Sequence, residues 1–264
     1  MEWRSIRRRA RPKSSSTSEE PMIRAMTVDW WNTLASPPED WEAFSKQSRI
    51  EGIQAILRAH GVECTLARLD IAYDLWTEHL ARRWRQNVDL SGEQQITDLL
   101  ASAGHDRVLD RAVMAEIANV IGMPLVNRPP RIHDGSIDAL RALKSRGVAL
   151  AIISNTGRTW GQFLRQVQDK VGMAGLFDHR AFSDEARIRK PAPAIFHQTL
   201  AALRVEPDEA VHIGDDLEAD VGGAKGVGMR AVWYDTGIVP NGDGSRADAV
   251  IHSWRELPEV IAKW

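Results

Sequence analysis

Acidic and hydroxyl side chains follow three separate apolar stretches of this sequence. Asp29 ends the stretch IRAMTVD, Ser154 and Asn155 follow the apolar part of VALAIISNTG, and Asp215 and Asp216 end EAVHIGDD. If these stretches are strands of one open parallel sheet, their carboxyl ends lie along one edge, where such sheets bind ligands. The spacing therefore predicts that the five side chains lie close together.

A group of carboxylates at one place needs a counter-charge. Two like charges about 4 Å apart repel by about 4 kcal/mol at an effective dielectric constant near 20, so a cation is expected among them. Ligands that are all oxygen atoms favour Mg²⁺, which keeps several waters and takes one or two carboxylates. A carboxylate can also attack phosphorus and form an aspartyl-phosphate. The residue types therefore indicate a metal site, with a carboxylate that could also act as a nucleophile.

The elements that must position these residues alternate between strand and helix patterns. Short, continuous apolar runs rich in β-branched residues suit strands buried on both faces of a parallel sheet. Four such runs cover residues 23–29, 148–157, 209–216 and 229–235. Helical periodicity occupies 136–147, which ends at a glycine, and 193–203, which begins at a proline. This alternation predicts an α/β fold with an open, doubly wound parallel sheet of Rossmann-like type.

About 90 residues separate the first two predicted strands, which is too long for a simple crossover. Their pattern is helical throughout, with glycine or asparagine in the connecting loops. We therefore predict an all-α helical cap at 38–127, inserted into a core formed by 23–37 and 128–264. Three tryptophans of the insert either pack among its helices or line a substrate cavity next to the core. They are Trp41, Trp76 and Trp84.

The composition is that of an ordinary globular protein. The 264 residues are 43% hydrophobic and 27% charged, and the formal net charge of −2 argues against general nucleic-acid binding. No run approaches the ~20 apolar residues of a membrane span, and the single cysteine, Cys64, favours a reducing compartment, so we expect a cytoplasmic protein. Residues 1–22 are basic and then serine-rich, without the apolar segment of a targeting signal, and we expect a disordered tail.

Four motifs resemble those of the haloacid dehalogenase-like (HAD) hydrolase superfamily, in its order and spacing over about residues 23–255. VDWWNTL resembles the first motif, AIISNTG the second, IRKPAPAIF the third and VHIGDDLEADVGGAKGVG the fourth. The helical insert after the first strand is similar to the C1-type cap of this superfamily. The resemblance implies a hydrolase whose cap selects the substrate.

The resemblance also implies roles for individual residues. Asp29 would be the nucleophile, and Thr33 would steady both this carboxylate and the phosphoryl group. Ser154 and Asn155 would bind the transferring group through the hydroxyl and a backbone N–H. Lys190 would neutralise the charge on the nucleophile and the phosphoryl group.

The same resemblance implies a Mg²⁺ site. Its ligands would be Asp29, the backbone carbonyl of Trp31, and Asp215. Asp220 would support the lysine of the third motif or a metal-bound water. Asp216 is adjacent to Asp215, and the sequence leaves both as candidate ligands, although the resemblance favours Asp215.

Trp31 departs from the pattern of the family. Its phosphatases usually carry a second Asp two residues after the nucleophile, which protonates the leaving oxygen and then activates the hydrolytic water. An indole N–H does not titrate, and general acid–base help is worth about 10²–10⁴-fold in rate. Three explanations stay open: a substrate with a good leaving group, such as an acyl phosphate; a proton donor from the cap; or a different reaction. The cap candidates are His60, His79 and His105.

Several interpretations of the reaction follow. The 2-haloacid dehalogenases of this superfamily carry an aromatic residue at this position, but they use no metal and lack the GDD acids that this chain keeps. Phosphonoacetaldehyde hydrolases need a cap lysine, and residues 47–127 contain none, with Lys46 at the entry. A catalytically degenerate binding protein is the alternative outside enzymes. The leading prediction is a Mg²⁺-dependent phosphatase of a small phosphorylated metabolite, without nucleic-acid or membrane partners and with its oligomeric state open.

Overall fold

The structure is a computed structural model, and it describes residues 23–105, 109–237, 242 and 244–264. The tail predicted for 1–22 lies outside the described residues. Among the described residues, no helix is both long enough and apolar enough to cross a membrane.

A parallel sheet forms the centre of the molecule. The described strands are β1 (Ala25–Val28), β2 (Ala35–Ser36), β3 (Arg131–Ile132), β4 (Ala149–Ser154), β5 (His179–Phe182), β6 (Ala210–Gly214), β7 (Arg230–Tyr234) and β8 (Ala249–Ile251). Six of them pair in the order β5-β4-β1-β6-β7-β8, and every pairing in this sheet is parallel. The predicted α/β fold with an open parallel sheet is confirmed.

Helices flank this sheet or extend the chain beyond it. The described α-helices are α1 (Trp41–Ala59), α2 (Leu66–Trp84), α3 (Gly92–Ser102), α4 (Arg111–Asn127), α5 (Ser136–Ser145), α6 (Gly161–Gln168), α7 (Ser183–Ala186), α8 (Pro193–Leu203), α9 (Gly223–Gly226) and α10 (Leu257–Ile261). A π-helical turn at Leu217–Gly222 follows β6 and precedes α9.

Helices α1 to α4 all lie between β2 and β3, which pair antiparallel and so bring the two ends of the insert together. Local sequence fixes where two of these helices begin. The Thr65 hydroxyl accepts the backbone N–H of Arg68 at the start of α2, and Ser91 and Gln94 form a capping box at the start of α3. The division into a core (23–37 and 128–264) and a cap (38–127) stays a prediction, with which this element order agrees.

The central strand β1 is buried on both faces, which explains its unbroken apolar sequence. Met26 and Val28 pack into one hydrophobic cluster, whereas Ala25 packs into another on the opposite face. β1 lies between β4 and β6, so the residues that follow these three strands share one edge of the sheet. Asp29, Asn155 and Asp215 are those residues.

Candidate active site

A buried lysine joins two carboxylates at this edge of the sheet. Lys190 Nζ lies 2.6 Å from Oδ1 of Asp29 and 2.5 Å from Oδ1 of Asp220. All three side chains are buried. Burial alone would lower the pKa of Lys190, but the two carboxylates outweigh it and raise the pKa, so the ammonium group stays charged. The lysine is therefore held as a cation beside Asp29.

Three buried carboxylates meet at the same place. Asp29, Asp215 and Asp220 each offer an oxygen atom, and these atoms lie within 4.8 Å of one another. Burial, followed by repulsion from Asp220, raises the pKa of Asp215 to about 6, and burial likewise raises the pKa of Asp29 against the opposing effect of Lys190. One lysine does not balance three acids. The donor set therefore fits a divalent cation, which would favour the ionised carboxylates.

The hydrogen bonds divide these acids into two kinds. Asp220 accepts from Lys190 and His212 through Oδ1 and from the backbone N–H of Asp216 through Oδ2. Lys190 and His212 hold the pKa of Asp220 below its usual range although burial opposes them. The Asp215 carboxylate accepts a hydrogen bond from the Thr33 hydroxyl at 3.0 Å. Asp220 is thus engaged in holding the lysine, while Asp29 and Asp215 are the better candidate metal ligands.

Asp216 lies outside this group of three buried acids, which favours Asp215 of the two candidate ligands. Its side chain is exposed, and Oδ1 accepts the backbone N–H groups of Glu218 at 2.8 Å and Ala219 at 2.9 Å. These bonds cap the π-helical turn that follows, in the manner of an N-cap residue. Adjacent residues in extended backbone point to opposite sides, so only Asp215 turns toward Asp29.

Gly214 allows Asp220 to approach the end of β6. A Cβ atom on this residue would lie 2.1 Å from Cγ of Asp220, a distance that no side chain tolerates. Gly214 of the fourth motif is therefore required by packing rather than by a special backbone angle.

Ser154 and Asn155 end the neighbouring strand β4. The Ser154 hydroxyl is fully buried and has no hydrogen-bond partner among the described residues, which is uncommon for a buried polar group and fits a site for a ligand oxygen. The Asn155 side chain bonds the backbone of Lys190 twice, donating to its carbonyl at 3.0 Å and accepting its N–H at 2.8 Å. Asn155 therefore positions the lysine, and substrate binding by its backbone N–H stays a prediction.

A tight turn places Trp31 beside the site. Asn32 adopts a left-handed backbone with φ of 55°, which asparagine tolerates better than most residues, and its N–H donates to the carbonyl of Ala35. The Trp31 ring packs edge-on with the buried Trp30 ring, with centroids 6.3 Å apart. The loop that carries Asp29 and Thr33 is thus fixed by its own backbone and by two indoles.

A cavity of about 320 Å³ opens between this turn and the insert. Its lining residues are Trp31, Asn32, Pro37, Trp41, Glu42, Arg49, Trp84, Asn155, Gly157, Arg158 and Thr159. Both alternatives for the tryptophans of the insert therefore occur, because Trp41 and Trp84 line the cavity while Trp76 is fully buried and packs on Tyr73. The wall combines indole surface with charged groups from both parts of the chain.

The cap histidines do not line this cavity. His60 lies 3.5 Å from Glu116, and His79 lies 3.4 Å from Asp98. His105 is also absent from the lining. The carboxylate in the wall is instead Glu42, which is paired with Arg158. Lys46, at the entry to the insert, pairs with Asp70 and Asp74.

A second set of hydrogen bonds behind Lys190, made by His212, was not predicted from the sequence. His212 bonds Oδ1 of Asp220 through Nε2 at 3.0 Å and Oγ1 of Thr27 through Nδ1 at 2.7 Å. Burial lowers the pKa of His212, so the ring is neutral. The carboxylate requires a donor, so Nε2 carries the hydrogen and Nδ1 accepts from Thr27. No signal marked this histidine, which stands inside the apolar run of β6.

A buried ion pair next to Lys190, between Arg189 and Asp89, was likewise not predicted from the sequence. Arg189 Nη1 donates to Oδ2 of Asp89 at 2.7 Å and to the carbonyl of Thr156 at 2.6 Å. Ser183 donates to the same Asp89 oxygen at 2.5 Å, and the guanidinium lies 4.5 Å from the centroid of the Trp84 ring. We call Asp89, Arg189 and Ser183 the clasp, because Asp89 belongs to the insert and its partners to the segment between β5 and α8. The only sequence signal was the position of Arg189 directly before Lys190.

The chain belongs to the haloacid dehalogenase-like hydrolase family, whose profile matches residues 23–228. It is 30% identical over 179 residues to haloacid dehalogenase-like hydrolase domain-containing protein 3 of Bos taurus, a match that covers 66% of this chain and 70% of that protein. It is 34% identical over 129 residues to glyceraldehyde 3-phosphate phosphatase of Pyrococcus furiosus, covering 48% of this chain and 52% of that protein. The latter match spans about half the length of each protein.

The fold is similar to that of a crystallised 2-haloacid dehalogenase from Pseudomonas syringae pv. Tomato DC3000. The TM-score is 0.66 and the identity 20%, and the match covers 92% of this chain and 100% of that one. At this identity the likeness concerns the fold alone.

Proposed function

We propose that this protein is a Mg²⁺-dependent phosphatase that hydrolyses a small phosphorylated compound through an aspartyl-phosphate at Asp29. One observation carries the proposal: Asp29 shares a buried site with a second carboxylate, Asp215, and with the Lys190 ammonium group. The family relatives named as phosphatases support the same reaction class. The single cysteine keeps the expectation of a reducing, cytoplasmic compartment.

In the first half-reaction, an oxygen of Asp29 attacks phosphorus and the bond to the leaving group breaks. Lys190, held by Asp220, offsets the charge on the nucleophile and on the phosphoryl oxygens. The buried Ser154 hydroxyl is available to donate to one of these oxygens. Mg²⁺, held by Asp29 and Asp215, would offset the remaining charge on the phosphoryl group.

In the second half-reaction, water attacks phosphorus, the bond to Asp29 breaks, and inorganic phosphate leaves. Thr33 does not contact the nucleophile in this structure but holds Asp215. We therefore assign Thr33 to the metal ligand, and its predicted contact with the phosphoryl group stays a proposal.

Phosphate release from p-nitrophenyl phosphate and acetyl phosphate tests this function. Wild type should release phosphate with MgCl₂ and stop when EDTA is added, whereas Asp29→Asn should be inactive while keeping its circular dichroism spectrum. Inactivity of the wild type on a broad panel of phosphate esters and acyl phosphates would contradict the proposal.

A second candidate function is dehalogenation of a 2-haloacid, favoured by the aromatic side chain of Trp31. Halide leaves without a proton, so this reaction needs no acid at that position. The buried carboxylate of Asp215 beside Asp29 argues against dehalogenation, because displacement of halide from carbon needs no metal ligand there. Chloride release from 2-chloropropionate by a wild type that releases no phosphate would establish this alternative.

Inactivity in both assays, with retained binding of a phosphonate, would indicate a binding protein.

A further inference from the structure

The cavity beside Trp31 has an aromatic wall next to the phosphoryl site. Trp31 lies two residues after Asp29, and Asn155 directly follows Ser154, so this cavity is where the remainder of a phosphorylated substrate would lie. We propose that the substrate is an aryl phosphate, the phosphate monoester of a phenol, whose ring packs against Trp31, Trp41 and Trp84. This inference rests on the proposed phosphatase function.

The first argument comes from the leaving group. An alkyl alcohol leaves as a strongly basic alkoxide unless an acid protonates it, and Trp31 has no titrating proton to give. A phenol delocalises the charge into its ring and leaves as a phenolate without that help. The side chain that removes the acid thus admits aryl esters and disfavours alkyl esters.

The second argument comes from the shape and chemistry of the wall. A volume of about 320 Å³ is at the small end of ligand pockets, which run from about 300 to 1,000 Å³, and it is large enough for a single ring. Three of its lining side chains are indoles, and aromatic pairs contribute beyond the area that they bury. An acyl phosphate would satisfy the first argument but would leave this aromatic surface without a matching group.

The rings are already fixed in place. Trp31 packs on the fully buried Trp30, and Trp41 packs on Phe44 with centroids 5.9 Å apart. Trp84 donates its indole N–H to Asp89 of the clasp at 3.1 Å. A ring that binds here therefore meets a preformed wall, which lowers the entropic cost of binding.

The reaction balances without an added acid. An oxygen of Asp29 forms a bond to phosphorus while the bond from phosphorus to the phenolic oxygen breaks, and the phenolate departs with the electron pair. Water then attacks the same phosphorus, the bond to Asp29 breaks, and the products are inorganic phosphate and the regenerated carboxylate. The phenolate takes up its proton from solvent.

Two substitutions at Trp31 separate the two arguments. Trp31→Asp restores an acid, and should raise kcat/KM for cyclohexyl phosphate at least about tenfold, toward the 10²–10⁴-fold typical of acid–base help. Trp31→Leu keeps a side chain that does not titrate but removes the ring. It should lower kcat/KM about 3- to 10-fold more for phenyl phosphate than for acetyl phosphate, which has no ring to lose contact with. Trp264→Leu, the same change at a partly buried tryptophan outside the site, is the matched control.

The comparison among substrates decides the class. With wild type and MgCl₂, phenyl phosphate should exceed cyclohexyl phosphate in kcat/KM by at least about 100-fold, and it should have a lower KM than acetyl phosphate. Equal kcat/KM values for phenyl and cyclohexyl phosphate, or a lower KM for acetyl phosphate than for phenyl phosphate, would overturn the inference. Either result would leave the phosphatase function intact. Inactivity on all three would instead remove the proposed function.

Binding to the inactive Asp29→Asn variant gives a readout independent of turnover. By calorimetry with MgCl₂, phenylphosphonate should bind at least about tenfold more tightly than cyclohexylphosphonate, equivalent to about 1.4 kcal/mol. Equal affinities would contradict the aromatic site even if the enzyme hydrolyses aryl esters.

Discussion

Arg189 and Lys190 are consecutive residues, yet they belong to two buried charge networks of different character. Around Lys190, three carboxylates share one lysine and a neutral histidine. Around Arg189, one guanidinium meets one carboxylate, and both oxygens of Asp89 receive hydrogen bonds from four donors: Trp84, Leu90, Ser183 and Arg189. The first network has surplus negative charge and an unpartnered hydroxyl beside it, whereas the second is complete within the protein.

This difference indicates what each network does. A buried, matched and fully hydrogen-bonded pair gains nothing from a ligand, so the clasp acts in structure by fixing the insert against the segment that leads from α7 to Lys190. A buried group with unmatched charge requires a cation or a substrate, and such perturbed carboxylates are typical of functional sites. The two networks therefore differ in whether every charge and polar group has a partner within the protein, and not in burial, which they share.

The largest expected effect comes from removing the nucleophile. Asp29→Asn should lower kcat at least about 10³-fold, because the amide oxygen does not form the covalent intermediate. Single-turnover phosphate release measures this. Retained activity within about tenfold would show that another group attacks phosphorus.

Breaking the clasp should act on stability instead. Asp89→Asn leaves Arg189 buried without its counter-charge, and we expect a loss of about 3–5 kcal/mol in the free energy of unfolding. Asp169→Asn is the matched control, since Arg180 is about as buried as Arg189 but the Asp169 carboxylate is exposed, and such a pair is worth about 0–1 kcal/mol. Urea denaturation measures both variants. Equal losses would mean that the clasp is no more than a surface ion pair.

The pH dependence of stability tests Asp184, which lies near Asp89 of the clasp. Its carboxylate accepts hydrogen bonds from Thr156 and the backbone of Gly161. Burial raises the pKa of Asp184 to about 6 from its ordinary 3.8, and nearby Glu185 and Asp89 add to the increase. The folded state therefore holds this proton more tightly than the unfolded state. The resulting stabilisation is complete below about pH 4 and is lost as the pH rises through 6.

Asp184→Asn keeps the accepting oxygen but does not titrate. Between pH 4 and pH 8, the wild type should lose up to about 3 kcal/mol more unfolding free energy than this variant. Urea denaturation at the two pH values measures the difference. Parallel pH profiles for the two proteins would show that Asp184 has an ordinary pKa in the folded state.

The smallest expected effect is a change in Mg²⁺ dependence that distinguishes Asp215 from the adjacent Asp216. Asp215→Asn should raise the Mg²⁺ concentration needed for half-maximal activity about 10- to 100-fold, because it removes a candidate ligand charge. Asp216→Asn should leave that concentration within about twofold, since asparagine also caps helices. Titration of activity with MgCl₂ measures both. An equal shift in the two variants would return Asp216 to the ligand set.

Much of this site could be predicted because strand ends are easy to locate. Asp29, Ser154 and Asp215 each follow a continuous apolar run, and parallel strands bring such ends together. Helix α8 likewise begins at the predicted Pro193 and ends at the predicted Leu203. The sequence left Asp215 and Asp216 both open as metal ligands, because adjacency does not show on which side of the backbone a carboxylate lies.

Other features had no local signal. The edge strands β5 and β8 are short, and β5 begins with His179 and Arg180 rather than with an apolar run. His212 stands in a strand that reads as purely structural, and its role depends on contact with Asp220 across the sheet edge. Asp89 meets a partner 100 residues away, which periodicity and turn chemistry do not predict.

Trapping the covalent intermediate tests the central claim most directly. The enzyme, MgCl₂ and p-nitrophenyl phosphate are mixed, quenched with acid within milliseconds and reduced with borohydride, which converts an aspartyl-phosphate to homoserine, and the peptides are analysed by mass spectrometry. We predict homoserine at position 29, dependent on both substrate and Mg²⁺. Steady phosphate release with an unmodified Asp29, or with the modification at a different carboxylate, would contradict the mechanism.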